Sequence, residues 1–249
     1  MILGKLPPRL DARGIGLRAY LNTPLLVPPA VDWTGLCREG WPMYANDRAG
    51  TCVFAAVAHL VHAWSAAAGR EAVLTEPDVL AAYRQATGYD PEQPETDRGA
   101  VVLDVLKAWR ARGIAGHRLG AFAGIDPTDL DRIRAAIALF RGCVAGLQLP
   151  LAAKGREVWD TSQAQADTTA IKGSWDGHCV TLLGWGERGL LGVSFGRLQW
   201  MTWPFFAAYA DEAWACLSED FLVNGRAPTG LDLASLRADL ARVASAPLG

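Results

Sequence analysis

The sequence predicts an α+β protein of two lobes, with a helical N-terminal half and a strand-rich, antiparallel C-terminal half. Three observations carry this. Cys52 to Ala68 contains no Pro or Gly and is apolar almost throughout, the composition of a buried helix. Val101, Val102, Val105, Leu106 and Trp109 recur at helical spacing. Beyond Gly113 the chain turns to short apolar runs bounded by Gly and Pro, which read as strands.

Taken in order, residues 1–30 are broken by Pro7, Pro8, Gly14, Gly16, Pro24, Pro28 and Pro29 and predict an extended arm on the surface. Residues 31–249 form the folded domain: 31–113 mainly helical, 114–217 mainly β, and 218–249 an extension ending in a helix. A lead-in over 31–45 reaches the Cys52 helix. Glu76 to Ala86 predicts a second helix, capped by Thr75 with Pro77 in its first turn, and Thr87 to Gly99 is a breaker-rich loop. A third helix spans 100–112, and a fourth runs from Pro127 to Phe140 with Asp126 as cap. Strands are expected at Cys143–Leu149, His178–Trp185, Leu190–Phe195, Leu198–Trp203 and Ala213–Leu217, with a long surface loop over Ala152–Gly173. Leu233, Leu236, Leu240 and Val243 place an amphipathic helix over 231–244.

Bulk properties exclude several functions. The chain has 249 residues, 51% hydrophobic and 20% charged, enough to bury a core as one large domain or two lobes sharing a cleft. A net charge of -2 with no Lys/Arg block argues against nucleic acid and against an anionic membrane surface. No run of 18 apolar residues and no apolar signal region is present, so the expectation is a cytoplasmic protein, or one carried in a phage particle, without a classical secretion signal. Five scattered cysteines without a Cys-x-x-Cys pair give neither a zinc knuckle nor a disulfide framework. His59 and His62 share the Cys52 helix, but seven residues of rise put His59 roughly 10 Å from Cys52. The carboxylates Asp90, Glu92, Glu95 and Asp97 lack calcium-loop spacing. No metal and no cofactor is expected.

Two residues suggest chemistry. The polar loop Asn46-Asp47-Arg48-Ala49-Gly50-Thr51 delivers Cys52 to a helix N-terminus, where unpaired N–H groups and the helix dipole favour the nucleophilic thiolate. His178 opens an apolar run directly after Gly177, so a strand would fix its position at the edge of the sheet, as a general base requires.

These segments resemble the papain-like cysteine peptidases. The family's Gln-containing loop leading to a helix-starting Cys matches Asn46 to Cys52. Its Gly-His-Ala-Val strand matches Gly177-His178-Cys179-Val180, and its Asn-Ser-Trp-Gly segment matches Val193-Ser194-Phe195-Gly196, followed by Trp200 and Trp203. Val31-Asp32-Trp33 resembles the mature N-terminus, and Asp97-Arg98-Gly99-Ala100 falls where a Gly-rich cleft wall precedes a helix. The local signature C-G-[SA]-C-[WY] is not met, since Ala49 and Val53 replace its first Cys and its aromatic residue. A second resemblance is to an uncharacterised papain-like group encoded in bacterial and phage genomes. It rests on Pro42-Met43-Tyr44-x-Asn46-Asp47-x-x-Gly50-x-Cys52, Met201-Thr202-Trp203-x-Phe205-Phe206 with Asp211-Glu212-Ala213, and Gly230-Leu231-Asp232-Leu233.

The resemblance implies a two-lobed papain-like fold and a thiol hydrolase cleaving a peptide or related amide. Cys52 would be nucleophile and His178 base, with Asn46 replacing the family's Gln in the oxyanion site. Asn46 in Asn-Asp is equally a turn residue. The family's orienting Asn falls on Val193, which accepts no hydrogen bond, so Ser194, a backbone carbonyl or Asp176 would substitute, with Trp200 or Trp203 as cover and Asp97 and Gly99 at the cleft. The alternative is a papain-fold protein with little or no turnover, acting as a binding or structural component of a phage particle or other assembly. The partner is then a protein assembly rather than a peptide substrate.

Overall fold

The computed structural model describes residues 1–9, 16–20, 27–161 and 168–218, with positions 234 and 237 isolated beyond them. The helix expected over 231–244 lies almost wholly outside the described residues.

Two lobes meet around one buried helix. A short strand β1 (Val31–Asp32) leads to α1 (Cys52–Ala67), whose residues from Cys52 to Ser65 are all buried. Its apolar surface goes all the way round, so it must be covered on every side. The helix α2 (Glu76–Thr87) starts in a capping box between Thr75 and Asp78 and ends at Gly88, which is left-handed at φ 76°. The helix α3 (Val102–Arg112) stops at Gly113.

A strand β2 (Leu119–Ile125) follows, in a stretch where its Ala and Gly residues give no strand signal. Next comes α4 (Leu130–Phe140). Its cap is Asp129, whose carboxylate accepts from Arg132 N–H. Asp126, expected in that role, caps the preceding turn through Thr128.

The remaining elements are β3 (Cys143–Leu149), β4 (Val158–Trp159), β5 (Asp176–Gly186), β6 (Gly189–Ser194), β7 (Arg197–Met201), α5 (Trp203–Tyr209) and β8 (Ala210–Ser218). Two expectations are corrected here. The run Leu198–Trp203 ends as a strand at Met201, because Thr202 caps α5 by accepting from Phe205 N–H, with Pro204 in the first turn. The expected surface loop 152–173 contributes β4, parallel to β7.

The sheet runs β2-β8-β3-β5-β6-β7-β4, with β1 pairing antiparallel to β5. All pairs are antiparallel except β4 with β7. The central strand β5 is buried from Gly177 to Trp185 beneath α1 and α4. Polar atoms stitch the lobes: Thr181 Oγ1 donates to Ala56 O on α1, Trp33 Nε1 to Ile137 O at 2.8 Å, and Trp64 Nε1 to Phe140 O at 2.7 Å.

Trp64 is fully buried, so Trp64→Phe removes the donor and leaves a buried carbonyl without this bond. The variant should lose about 1–3 kcal/mol of unfolding free energy, read from its urea midpoint.

Candidate active site

The loop before α1 sets the first half of the site. Tyr44 and Ala45 are consecutive left-handed residues, at φ 53° and 60°, without being glycine. Such backbone costs on the order of 1–2 kcal/mol per residue and persists only when surroundings enforce it. Here Thr51 Oγ1 donates to Tyr44 O at 2.8 Å, and Ala45 N–H donates to Glu76 Oε2 at 2.9 Å. The turn carries Asn46 inward, where it is 2% exposed. Gly50 N–H donates to both oxygens of Asp97, at 3.1 and 2.9 Å, and Tyr83 OH donates to the same carboxylate. Gly99 N–H in turn donates to Tyr83 OH at 3.0 Å. Asp97 and Gly99 thus belong to a clamp that ties the Cys52 loop to the segment before α3. Tyr83 was not singled out from sequence; its four-residue spacing from Val79 marks a core position, and the partner of its hydroxyl has no local signal.

Cys52 occupies the first turn of α1 and is fully buried. Burial pushes its thiol up to about 11, partly offset by backbone N–H groups of Gly4 and Cys179 and by the Lys5 ammonium. His178 lies on β5, 1% exposed, and burial pushes its imidazole down to about 3. Its Nε2 is 3.0 Å from Ser194 Oγ, whereas its Nδ1 is buried without a hydrogen-bond partner, so no such bond joins it to the thiol. Both groups are neutral in this conformation.

Ser194, one of the substitutes expected for the orienting Asn, is the partner of His178, whereas the places of Val193 and of the covering aromatic residues differ from expectation. Val193 pairs with Thr181, not with His178, and because side chains alternate along β6 the next residue, Ser194, is the one presented to the imidazole. Phe195, left-handed at φ 49°, stacks on the imidazole with centroids 4.4 Å apart and planes 10° apart, and Trp159 meets it edge-on. Trp200 and Trp203 do not provide this cover. Trp200 lies opposite Leu191, and Trp203 donates to Gly186 O, eight residues and roughly 25 Å along β5 from His178. Asp176 is exposed, with its carboxylate turned onto Gly177 N–H at 2.7 Å.

The N-terminal arm, expected on the surface, runs between the lobes. Ile2 N–H donates to Asn46 O at 3.1 Å, and Asn46 Nδ2 donates to Ile2 O at 2.8 Å. Ala100 N–H donates to Gly4 O at 2.7 Å, Leu6 N–H to Ala100 O at 2.9 Å, and Lys5 N–H to Gly177 O at 3.1 Å. A Cβ on Gly4 would fall 2.2 Å from Gly50 O, so only glycine permits this approach. Lys5 is 3% exposed, its ammonium 2.8 Å from Asp211 and 3.2 Å from Glu212. That ion pair and the main-chain bonds tie the segment into the fold, and removing either carboxylate would leave the buried ammonium uncompensated.

Cys37, His62 and Glu71 also cluster, with ligand atoms within 4.8 Å of one another. Glu71 Oε1 already accepts from His62 Nε2 and from the N–H groups of Arg38 and Glu39. His62 is ten residues along α1 from Cys52, roughly 15 Å, which separates this cluster from the thiol.

His59, like His178, is buried and held low, at about 4, by burial. Both folded values lie below the ordinary 6.5, so between pH 6.5 and these values the unfolded chain takes up protons that the native chain does not. Their contribution to stability is complete above that window and is lost as pH falls through it. Each should remove roughly 2–3 kcal/mol between pH 7 and about 4.5, read from urea midpoints. His59→Gln, which retains a donor for Pro42 O, should flatten the pH dependence; a midpoint insensitive to pH would contradict the burial.

No family model and no curated protein matches the sequence. Solved structures do match the fold. Xylellain, a cysteine protease from Xylella fastidiosa, aligns with TM-score 0.65 and 16% identity over 86% of this chain and 95% of its own. ProCathepsin B S9 from Trypanosoma congolense aligns with TM-score 0.58 and 12% identity over 88% and 87%. Procathepsin L 3 from Tenebrio molitor larval midgut gives 0.57 and 13% over 82% and 76%. With Cys52 opening the helix between the lobes and an antiparallel sheet behind His178, these likenesses place the chain in the papain-like cysteine-protease fold.

Proposed function

We propose that this chain is a papain-like thiol hydrolase that cleaves a peptide or related amide bond through Cys52 and His178, and that its N-terminal arm holds it closed. One observation carries the reading. The cleft already binds an extended peptide, Ile2 to Leu6, by main-chain hydrogen bonds to Asn46 and Ala100 on one wall and Gly177 on the other. Main-chain pairing recognises peptide backbone as a class, and it runs past the thiol.

In the open form, water reaches the site and the penalty on charging both groups falls. The Cys52 proton passes to His178, the thiolate attacks the scissile carbonyl carbon, and the developing oxyanion accepts from Asn46 Nδ2 and Cys52 N–H. His178 then returns the proton to the leaving amine, and water, deprotonated by His178, releases the acid and restores the thiol. Ser194 Oγ, at Nε2, acts as the positioning residue. In the closed form the Gly4 N–H favours the thiolate of Cys52. Two of the similar structures, proCathepsin B S9 and procathepsin L 3, are named as proforms.

Gly4→Val should expel the arm and expose peptidase activity on an unstructured protein substrate. In that background Cys52→Ala should abolish turnover, and His178→Ala should lower it about a thousandfold. Ser194→Ala should lower it about tenfold with a shifted pH profile, and Ser194→Asn should recover it. If Gly4→Val frees Cys52 for alkylation at the rate of an ordinary thiol and yields no cleavage, the protein is a papain-fold binding or structural component, of a phage particle or another assembly.

A further inference from the structure

The Lys5 pocket is more elaborate than an anchor for a chain terminus needs. The Lys5 side chain is fully enclosed, and those of Asp211 and Glu212 are 12% and 6% exposed. Gly146 forms part of the wall: a Cβ there would come within 2.2 Å of Lys5 Cε, so the missing side chain makes room for a long straight stem. Gln148 Nε2 donates to Asp211 Oδ2 at 2.8 Å, and Trp214 Nε1 to Glu212 Oε2 at 2.8 Å, so neutral donors hold both carboxylates in place. One acceptor, Asp211 Oδ1, remains buried without a hydrogen bond even with Lys5 bound, and Glu212 Oε1 has only the Lys5 ammonium, at 3.2 Å. The pocket adjoins both candidate groups in the chain: Lys5 follows Gly4, which packs on Gly50 two residues before Cys52, and its own N–H donates to Gly177 O, next to His178.

When the arm leaves, two adjacent carboxylates lose their only described cation. Carboxylates so enclosed are compensated by a cation and penalised by an apolar group. We propose that this pocket selects substrate, accepting a lysine or arginine side chain from the peptide that replaces the arm, with Asp211 and Glu212 as its specificity-determining residues and Gly146 admitting the stem. The proposal rests on the peptide-hydrolase reading above and names its substrate class. An arginine carries five N–H donors and could reach Asp211 Oδ1, which Lys5 leaves unpaired, as well as Glu212 Oε1. The arm is then a tethered mimic of a basic peptide.

The test substitutes Lys5 in the full chain and follows alkylation of Cys52 by iodoacetamide, mapped by mass spectrometry. Arm closure then reports the pocket's preference whether or not the enzyme turns over. Lys5→Arg should label within about threefold of the native rate, whereas Lys5→Met and Lys5→Leu should label about tenfold faster or more. Labelling of Lys5→Leu at the native rate overturns the proposal. Should Lys5→Met fail to fold, Glu212→Gln in the native chain reads the same interaction from the other side: labelling rises about threefold or more, and an unchanged rate counts against the pocket. Internally quenched peptide pools scanned position by position are then offered to Lys5→Met. Pools carrying Lys or Arg at one position should be cleaved at least about tenfold faster than those carrying norleucine, with the difference lost on adding Glu212→Gln. Equal cleavage of norleucine pools overturns the pocket and leaves the hydrolase standing. No cleavage of any pool, with the labelling order intact, overturns the hydrolase and leaves a pocket selective for basic side chains.

Discussion

A helix that is apolar on every face has to be covered on every face, and this requirement on α1 organises the molecule. The sheet and α4 enclose it from the β side, while α2, α3 and the loop before Cys52 enclose it from the other. Only its first turn comes near the seam between lobes. A residue at that point gains the unpaired N–H groups of a helix end and access from the cleft, and the chain places a thiol there. The strained backbone at Tyr44 and Ala45 and the clamp built by Asp97 and Tyr83 hold that seam at one geometry.

The arm affects the site both sterically and electrostatically. Burial disfavours the charged forms of the thiol and the imidazole, while the Gly4 N–H and the Lys5 ammonium of the arm pull the thiol back down. The arm is held by directional contacts: four main-chain hydrogen bonds, one from the Asn46 side-chain amide, and one buried ammonium between two carboxylates. Losing one partner of an exposed ion pair costs little, whereas losing one partner here leaves a buried charge uncompensated. The arm thus occupies main-chain donors and acceptors on both walls of the cleft.

His178 illustrates how a fold substitutes one polar partner for another. A hydroxyl occupies the place where the family's Asn would orient the ring, and the ring is locked from above by Phe195, itself stacked on Trp175. A hydroxyl is both donor and acceptor and accommodates either imidazole tautomer. Orientation here depends more on stacking than on a fixed acceptor, a different balance of forces from an amide.

The sequence by itself determined the α+β class, the helix opening at Cys52, the capping box at Thr75 and the strand beginning near His178. Each of these is written in a local signal: apolar periodicity, a capping residue, or a Gly or Pro boundary. It misplaced the cap of α4, where Asp126 and Asp129 are both credible caps and only packing chose between them, and it missed β2, whose Ala and Gly residues acquire strand character by pairing with β8. The partner of His178 was decided by tertiary structure. Register is a relation between strands, and a shift of one residue exchanges Val193 for Ser194 at the imidazole. The fate of the arm was decided there too, because Lys5 and Asp211 are 206 residues apart and an ion pair across that distance leaves no trace in either neighbourhood until folding brings them into the same cleft.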